Sequence, residues 1–312
     1  MGTPEFAVEP LRRLVEGGYN IIGVITMPDK PAGRGHKIQY SPVKQYALEK
    51  GLPLLQPEKL KDEAFVEALR EWKADLQIVV AFRMLPEVVW NMPRLGTFNL
   101  HASLLPQYRG AAPINWAVIN GETETGITTF FLKHEIDTGE VIQQVRVPIA
   151  DTDNVGVVHD KLMMLGGELV IETVDAILND AVKPIPQEEM AVAGELRPAP
   201  KIFKETCRID WKQPVKKVYD HIRGLSPYPS AWTELITPEG ETIVAKIFEV
   251  EKLTASHQLP AGTIQTDGKT FIHVAVPDGY ISVKALQLPA KKRLKTEEFL
   301  RGFRLTNEYK MN

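Results

Sequence analysis

The chain has a single cysteine among its 312 residues, and other common features are missing as well. Because Cys207 cannot pair with a second cysteine, a disulfide within the chain is excluded, which is typical of a reducing compartment. No apolar run reaches the roughly 18 residues that a membrane helix needs, and no charged-then-apolar leader stands at the start. These absences predict a cytoplasmic protein without a membrane anchor.

Short motifs that mark several enzyme classes are also absent. There is no G-x-G-x-x-G after a strand, no Walker A loop, no H-E-x-x-H, no C-x-x-C and no G-x-S-x-G. Dehydrogenase, ATPase and zinc-hydrolase activities therefore have no support in the sequence. With one cysteine and seven scattered histidines we expect no metal site.

The charge of the chain is nearly balanced overall but uneven along its length. The net charge is −3, which alone argues against a nucleic-acid partner. Residues 205–312, however, contain 16 basic and 13 acidic side chains, and seven of those bases lie between Lys284 and Arg304. A mild basic patch on the C-terminal part is therefore compatible with the composition.

Apolar runs alternate with amphipathic segments in the first half of the chain. Four runs predict strands, at residues 20–26, 76–82, 96–101 and 126–132, and the first two are almost continuously apolar, as in a parallel sheet. Helices are predicted between them and after them, at residues 61–73, 113–120 and 157–178, the last with a kink at Gly166–Gly167. This pattern predicts a doubly wound, mostly parallel α/β domain, whose ligands bind at the carboxyl ends of the strands.

The ends of this domain and the part that follows have their own signals. Thr3-Pro4-Glu5 predicts a helix capped by Thr3. A doubly wound sheet normally has a strand before such a helix, so we expect that this strand is missing from the chain, the alternative being a sheet built differently. Residues 181–205 lack periodicity and predict a linker, and short runs with turn signals then predict a small antiparallel barrel or sandwich. We thus expect domains at residues 1–180 and 206–312.

Two polar side chains stand at the end of the third predicted strand. Asn99 and His101 are two residues apart, so they point to the same face, roughly 6.6 Å apart along the strand. An amide and an imidazole together suit the stabilisation of an oxyanion at a carbonyl under attack. Asp137, in a turn after the next strand, could favour the imidazolium and share in proton transfer. The alternatives are a structural histidine beside a satisfied asparagine, and an aspartate that only shapes its turn.

Basic side chains occur in two places that suit contact with phosphate groups. One is the loop at residues 28–44, with Lys30, Arg34, His36 and Lys37, and the other is a C-terminal run with Lys291, Lys292 and Arg293. Either stretch could instead be an ordinary solvated surface.

The stretch 98-FNLHASLLPQYRGAAPINWAVINGETETGIT-128, followed by 135-EIDTGEVI-142, resembles the signature of the folate-dependent formyltransferases. The segments GTPEFA, PAGRGHK, SPVK and MPRLGTFNLH make it similar to the branch of that family that acts on aminoacyl-tRNA. The resemblance covers residue 2 to about residue 300 and weakens beyond Asp210.

The resemblance implies a Rossmann-like catalytic domain followed by a barrel of OB type that helps to hold tRNA. The expected reaction moves a formyl group from 10-formyltetrahydrofolate to the amino group of methionyl initiator tRNA, in a monomeric cytoplasmic enzyme of a bacterium that uses no metal. The family's catalytic set maps onto Asn99, His101 and Asp137, and its basic loop contacts the tRNA acceptor end, with Arg34 as the matching arginine. The resemblance places the folate against main chain and side chains of three segments, which contain Phe82, Arg83, Met84, Leu85, Ser103, Leu104, Leu105, Pro106, Glu135 and Ile136.

Other functions share parts of this pattern. A formyltransferase that acts on a sugar amine has a comparable length, although the basic loop makes most sense against a nucleic acid. A glycinamide ribonucleotide formyltransferase usually lacks a second domain. A non-catalytic nucleic-acid-binding protein would rely on its barrel, but the sequence has no clear aromatic and basic stripe.

Overall fold

A computed structural model describes residues 1–32, 37–192 and 194–312. In chain order the helices are α1 (Glu5–Glu16), α2 (Pro42–Glu49), α3 (Glu63–Glu71), α4 (Glu87–Trp90), α5 (Pro113–Ile119), α6 (Val155–Leu178), α7 (Val215–Leu225) and α8 (Thr296–Gly302). The strands are β1 (Val24–Ile25), β2 (Lys30–Ala32), β3 (Lys37–Gln39), β4 (Leu54–Leu55), β5 (Gln77–Val80), β6 (Thr97–His101), β7 (Glu124–Phe131), β8 (Val141–Pro148), β9 (Ala231–Ile236), β10 (Thr242–Thr254), β11 (Ile264–Thr266), β12 (Ile272–Val276), β13 (Gly279–Gln287), β14 (Leu294–Lys295) and β15 (Lys310–Met311).

The contacts divide the chain into two compact units. Unit 1 contains residues 1–110, 125–147 and 160–198, and unit 2 contains residues 111–124, 148–159 and 199–312. The segment that the sequence predicts as a linker, 181–205, is thus divided between the two units. In the described part of the chain, no helix is both long enough and apolar enough to cross a membrane.

Unit 1 is an α/β domain built on parallel strand pairs. β1 pairs with β4 and β5 pairs with β6, both in parallel, and helices connect these strands along the chain. The sheet continues in the order β5-β6-β7-β8, with β7 antiparallel to β6. The predicted Rossmann-like fold class is confirmed, with β7 and β8 as an extension of its sheet.

The start of the chain joins the two sheets of unit 1. The Gly2 amide donates to Ile25 O of β1 over 3.0 Å, and Val80 N of β5 donates to Met1 O over 3.0 Å. Beyond this junction lies a cavity of about 150 Å³ whose lining includes apolar side chains of α1, β1 and β5. Residues 1–2 therefore hydrogen-bond to both parallel pairs.

The start of α1 and the glycines of α6 bear on the predictions for these helices. Helix α1 begins at Glu5 after Pro4 and has no side-chain cap, so the predicted cap by Thr3 is wrong. Helix α6 continues without interruption through Gly166 and Gly167. A Cβ atom at Gly166 would lie 2.8 Å from Leu100 of β6, so this glycine allows close packing against the sheet.

Unit 2 contains an antiparallel barrel, which is one of the two forms that the sequence pattern predicts and the one that the family resemblance implies. Its strands follow the order β11-β12-β13-β10-β9-β15, with β14 on β13. The two ends of this order meet at a bridge between Thr263 and Lys310, where Met311 N donates to Gly262 O over 2.9 Å. The interior is apolar and includes Trp211, Ile222, Leu235 and Ile281, so the sheet closes around a single core.

Replacing Gly262 should open this closure. Gly262 has a φ of +84°, and a Cβ atom there would lie 2.0 Å from Met311 O. Gly262→Ala should therefore lower the free energy of unfolding by at least about 2 kcal/mol, because strain and a backbone clash act together. Chemical denaturation of the full chain measures the change.

Gly302→Ala is the matched control, since a Cβ atom at Gly302 meets nothing within 4 Å. Equal stability of the two variants would show that the closure at Met311 does not hold the barrel together.

Candidate active site

The candidate site begins at the carboxyl end of β6, in the middle of the sheet of unit 1. Asn99 lies between Val79 of β5 and Phe130 of β7, and His101 faces Thr128 of β7. Both residues are central because β6 has a neighbour on each side. The ring of His101 is buried and meets the edge of Phe130, with the ring centroids 6.4 Å apart.

The imidazole of His101 is oriented by the main chain. Its Nε2 atom lies 2.9 Å from Tyr108 O, and since a carbonyl can only accept, Nε2 carries a proton and donates. In the neutral ring Nδ1 is then unprotonated. It faces Oδ2 of Asp137 at 3.9 Å, too far for a direct hydrogen bond. The nitrogen that can exchange a proton is therefore Nδ1, beside a carboxylate.

Asp137 is held in an uncommon backbone conformation in the loop between β7 and β8. Its φ is +55°, in the left-handed region, and its side chain is 11% exposed. Gly110 N donates to Oδ2 over 2.9 Å, so the carboxylate oxygen that faces His101 is also held by the main chain. The structure thus brings together the histidine and aspartate that the sequence singled out.

The carboxamide of Asn99 has an unused hydrogen-bonding atom. Its Oδ1 atom is buried and accepts no hydrogen bond from the described residues. A buried acceptor without a donor costs about 1–3 kcal/mol, which a protein tolerates most often at a binding site. The amide is thus able to accept a hydrogen bond from a ligand and to donate another.

The first predicted folate segment follows β5. Met84 is 74% exposed, while Leu85 and Phe82 belong to the apolar core beneath. The Arg83 guanidinium donates to Pro57 O over 2.7 Å and to Glu58 O over 2.8 Å, and burial lowers its pKa. Of this segment, Met84 is the side chain that presents a free apolar surface.

The second predicted segment is a buried turn directly after His101. Ser103 is fully buried and donates to Gln107 O over 2.6 Å. Leu105 lies in the core with Phe130, and Pro106 is buried after a cis peptide bond. Leu104 is partly buried and packs against Gly126. Their side chains shape the turn, so a ligand would meet mainly its backbone.

The third predicted segment is the loop that carries Asp137. Glu135 is exposed and Ile136 is 62% exposed. The neighbouring His134 ring lies 5.4 Å from the Trp90 ring and its Nε2 lies 3.4 Å from Oε1 of Glu87. This loop therefore contacts α4, the helix that follows the first segment, and both the loop and the segment present an apolar side chain to solvent.

The predicted tRNA-contacting residues fall in both units. In unit 1, Lys30 is exposed, Arg34 and His36 lie outside the described residues, and Lys37 belongs to β3. Asp29, near the start of this loop, accepts hydrogen bonds from Lys44 Nζ over 2.5 Å and from Gln56 Nε2 over 2.9 Å. The lysine lowers the pKa of this carboxyl. The base of the loop is thus anchored.

In unit 2, Lys291, Lys292 and Arg293 are exposed beside β14. Arg293 is 2.5 Å from Glu249, which also pairs with Lys295, and the two bases lower the pKa of that carboxyl. No ion pair of Lys291 or Lys292 is found within the described ranges. These two lysines therefore carry most of the uncompensated charge of the run.

Gln187 and Arg109 are neighbours of the site that the sequence did not indicate. Arg109 donates to Oε1 of Gln187, and Gln187 in turn donates to the backbone of the Asp137 loop. Both line a cavity of about 450 Å³ next to that loop, together with Pro106 and Met190. Gln187 lies in the segment predicted as a linker, where no periodic pattern marked it.

Among the described residues, no group of three or more His, Cys, Asp or Glu side chains could hold a metal ion. The arrangement offers one proton-accepting nitrogen, one carboxylate and one carboxamide at a strand end. Such a set suits acyl transfer to a nitrogen nucleophile, where charge appears on one oxygen and one proton must move.

Comparison with known families agrees with this chemistry. The profile described as "Formyl transferase" matches residues 1–174, and the profile described as "Formyl transferase, C-terminal domain" matches residues 201–304. The fold and the site together therefore define a formyl transferase.

Full-length relatives narrow the class. The methionyl-tRNA formyltransferase of Bacteroides thetaiotaomicron is 84% identical over 100% of this chain and 97% of that protein. The one of Parabacteroides distasonis is 67% identical over 99% and 96%, and the one of Porphyromonas gingivalis is 50% identical over 99% and 96%. The chain belongs to the methionyl-tRNA formyltransferase family.

Solved structures at low identity share the fold. The sugar 3N-formyl transferase WlaRD, solved in the presence of dTDP and 5-N-formyl-THF, has a TM-score of 0.63 at 18% identity, covering 93% of this chain and 97% of its own. HypX from Aquifex aeolicus in complex with tetrahydrofolic acid has a TM-score of 0.57 at 21% identity, covering 82% and 43%.

Thr128 should be a stability determinant of the turn that follows His101. Its buried hydroxyl donates to Ser103 O over 2.7 Å and accepts from Gln144 and Leu105 N. Thr128→Val keeps the shape but leaves these groups unpaired, so the free energy of unfolding should fall by about 1–3 kcal/mol.

Thr125→Val on the same strand is the control, because the buried Thr125 hydroxyl has no hydrogen-bond partner in the described chain. Denaturant titration of both variants checks the difference. A loss at Thr125 as large as the loss at Thr128 would contradict the assigned role.

Proposed function

We propose that this protein transfers the formyl group of 10-formyltetrahydrofolate to the α-amino group of methionyl initiator tRNA. The proposal rests on the position of His101, which lies on the same strand as Asn99. Its Nδ1 atom is 3.9 Å from the Asp137 carboxylate. The names and the high identity of the full-length relatives support the choice of substrate.

The folate co-substrate is assigned to the surface between the segment after β5, which contains Met84, and the loop between β7 and β8, which contains Ile136. Met84 and Ile136 are exposed apolar side chains on neighbouring segments, and such side chains commonly contact a flat aromatic ligand. The buried turn at residues 103–106 offers backbone atoms at the same strand end. In this placement the formyl group reaches Asn99 and His101.

The reaction exchanges one C–N bond for another. The amine nitrogen forms a bond to the formyl carbon, the bond from that carbon to N10 of the folate breaks, and one proton moves from the amine to N10. Asn99 is assigned to hold the reactants, because its Oδ1 accepts from the amine and its Nδ2 donates to the formyl oxygen.

His101 and Asp137 are assigned to the proton. With Nε2 donating to Tyr108 O, the unprotonated Nδ1 accepts the proton that the amine loses. The adjacent carboxylate of Asp137 stabilises the imidazolium, and Nδ1–H then returns the proton toward N10. The nitrogen that acts is therefore Nδ1.

The basic side chains are assigned to the tRNA. Arg34, with Lys30, His36 and Lys37, belongs to the loop that the family resemblance places at the acceptor end. Lys291 and Lys292 provide uncompensated positive charge on the barrel unit, with Arg293 beside them. Contacts to phosphates strengthen binding without reading sequence.

Removing the proton pathway should abolish turnover. His101→Ala and Asp137→Asn should each lower kcat by about 10²–10⁴-fold with charged initiator tRNA and 10-formyltetrahydrofolate, because proton transfer is lost while binding surfaces remain. A radiolabelled formyl-transfer assay with tRNA-binding measurements separates the two effects.

Asp180→Asn is the control, because Asp180 is exposed and has a φ of +53°, close to that of Asp137. Near-normal turnover of Asp137→Asn would overturn the catalytic assignment. If the native protein formylates a nucleotide-sugar amine and not the tRNA, the assignment of the tRNA as substrate is overturned.

The barrel lysines should act only on tRNA affinity. The double variant Lys291→Ala with Lys292→Ala should reduce the slope of log affinity against log salt by up to about 1.8, because each lost phosphate contact contributes about 0.7–0.9. Binding is measured across a salt series, with the exposed Lys59→Ala as control. An unchanged slope would remove these lysines from the tRNA surface.

A further inference from the structure

Gln187 is the most completely bonded buried polar side chain next to the candidate site. It is 2% exposed. Its Oε1 accepts from Arg109 Nε over 3.0 Å and from Arg109 Nη2 over 2.6 Å. Its Nε2 donates to Asp137 O over 2.9 Å and to Gly139 O over 2.8 Å. All four hydrogen-bonding positions of the carboxamide are thus used, which fixes its orientation.

These bonds converge on one residue from two directions. Gln187 holds the backbone of Asp137, whose positive φ is a conformation that a non-glycine residue keeps only when its surroundings impose it. It also holds Arg109, which is followed by Gly110, the residue whose N–H bonds the Asp137 carboxylate. One side chain therefore braces both segments that set the carboxylate beside His101.

Gln187 is itself held in place from β8. Ile185 and Val141 exchange two backbone hydrogen bonds of 2.9 Å, so the segment before Gln187 is paired with the first residue of β8. Val141 follows the Asp137 loop by a few residues. The segment that contains Gln187 and the Asp137 loop are thus both attached to the start of β8.

We infer that Gln187 is a positioning residue that keeps the Asp137 carboxylate in register with His101 Nδ1. This inference rests on the proposed function, since it assigns Gln187 a role through Asp137. Gln187 touches neither reactant in this assignment. Its loss should therefore lower the rate of the chemical step and leave the binding of folate and tRNA unchanged.

The test is a double-mutant cycle in formyl transfer with the full chain. Gln187→Leu should lower kcat at least about 10-fold, with KM for either substrate changed less than about 3-fold. In the Asp137→Asn background the same substitution should change kcat less than about 2-fold, because there is no carboxylate left to position. A merely structural residue would cause the same loss in both backgrounds.

Two further variants sharpen the result. Gln187→Glu keeps the volume but places an acceptor against two carbonyls, so it should lower kcat as Gln187→Leu does, while melting curves report that the chain is folded. Gln143→Leu is the matched control, because Gln143 of β8 accepts from the Thr173 hydroxyl over 2.7 Å and, among the described residues, bonds neither the Asp137 loop nor Arg109. Its kcat should be near normal.

The outcomes separate the two proposals. If Asp137→Asn itself retains turnover, the proposed function fails. If Asp137→Asn is impaired and Gln187→Leu is not, or if the loss in Gln187→Leu only equals its loss of folded protein, the inference about Gln187 is overturned.

Discussion

The hydrogen bond from His101 Nε2 to the carbonyl of Tyr108 is the interaction on which the rest of the site depends. It decides which ring nitrogen carries the proton in the neutral state, and so it leaves Nδ1 for chemistry. The acceptor is placed by a compact turn, because the chain reverses after β6 and Tyr108 adopts a φ of +58°. Thr128 holds the middle of that turn from the neighbouring strand. A change anywhere in residues 102–108 therefore acts on the ring without touching it.

The candidate site combines a buried pair of titratable side chains with exposed apolar side chains on nearby segments. His101 and Asp137 have side chains only 7% and 11% exposed, so charge formed there is poorly screened by water and the two groups act strongly on each other. Met84 and Ile136, by contrast, are mostly exposed on adjoining segments. Under the proposed function, a folate that covers these apolar side chains would also reduce the access of water to His101 and Asp137.

Much of the fold could be predicted because its strands and helices carry periodic apolar patterns. The runs at 76–82 and 96–101 became β5 and β6, and the prediction that Asn99 and His101 lie at a strand end follows from such a pattern. β8 and α2 were missed, since the apolar positions of β8 do not alternate clearly and α2 follows the basic loop directly. The role of Gly166 in α6 is close packing against Leu100, a contact that no local pattern reveals.

The part of the site that could not be predicted consists of bonds between residues far apart in the chain. Gln187 reaches Arg109 over 78 positions, and the Tyr108 amide donates to Arg197 O over 2.7 Å. Both partners come from one segment of low periodicity, which local rules describe only as a linker. Arg197 of this segment holds Tyr108, whose carbonyl orients the His101 imidazole. Gln187 of the same segment holds Asp137, whose carboxylate faces that ring. Residues that take no part in the reaction thus set the distance between those that do, so the geometry of the site is a property of the folded unit and not of its motif.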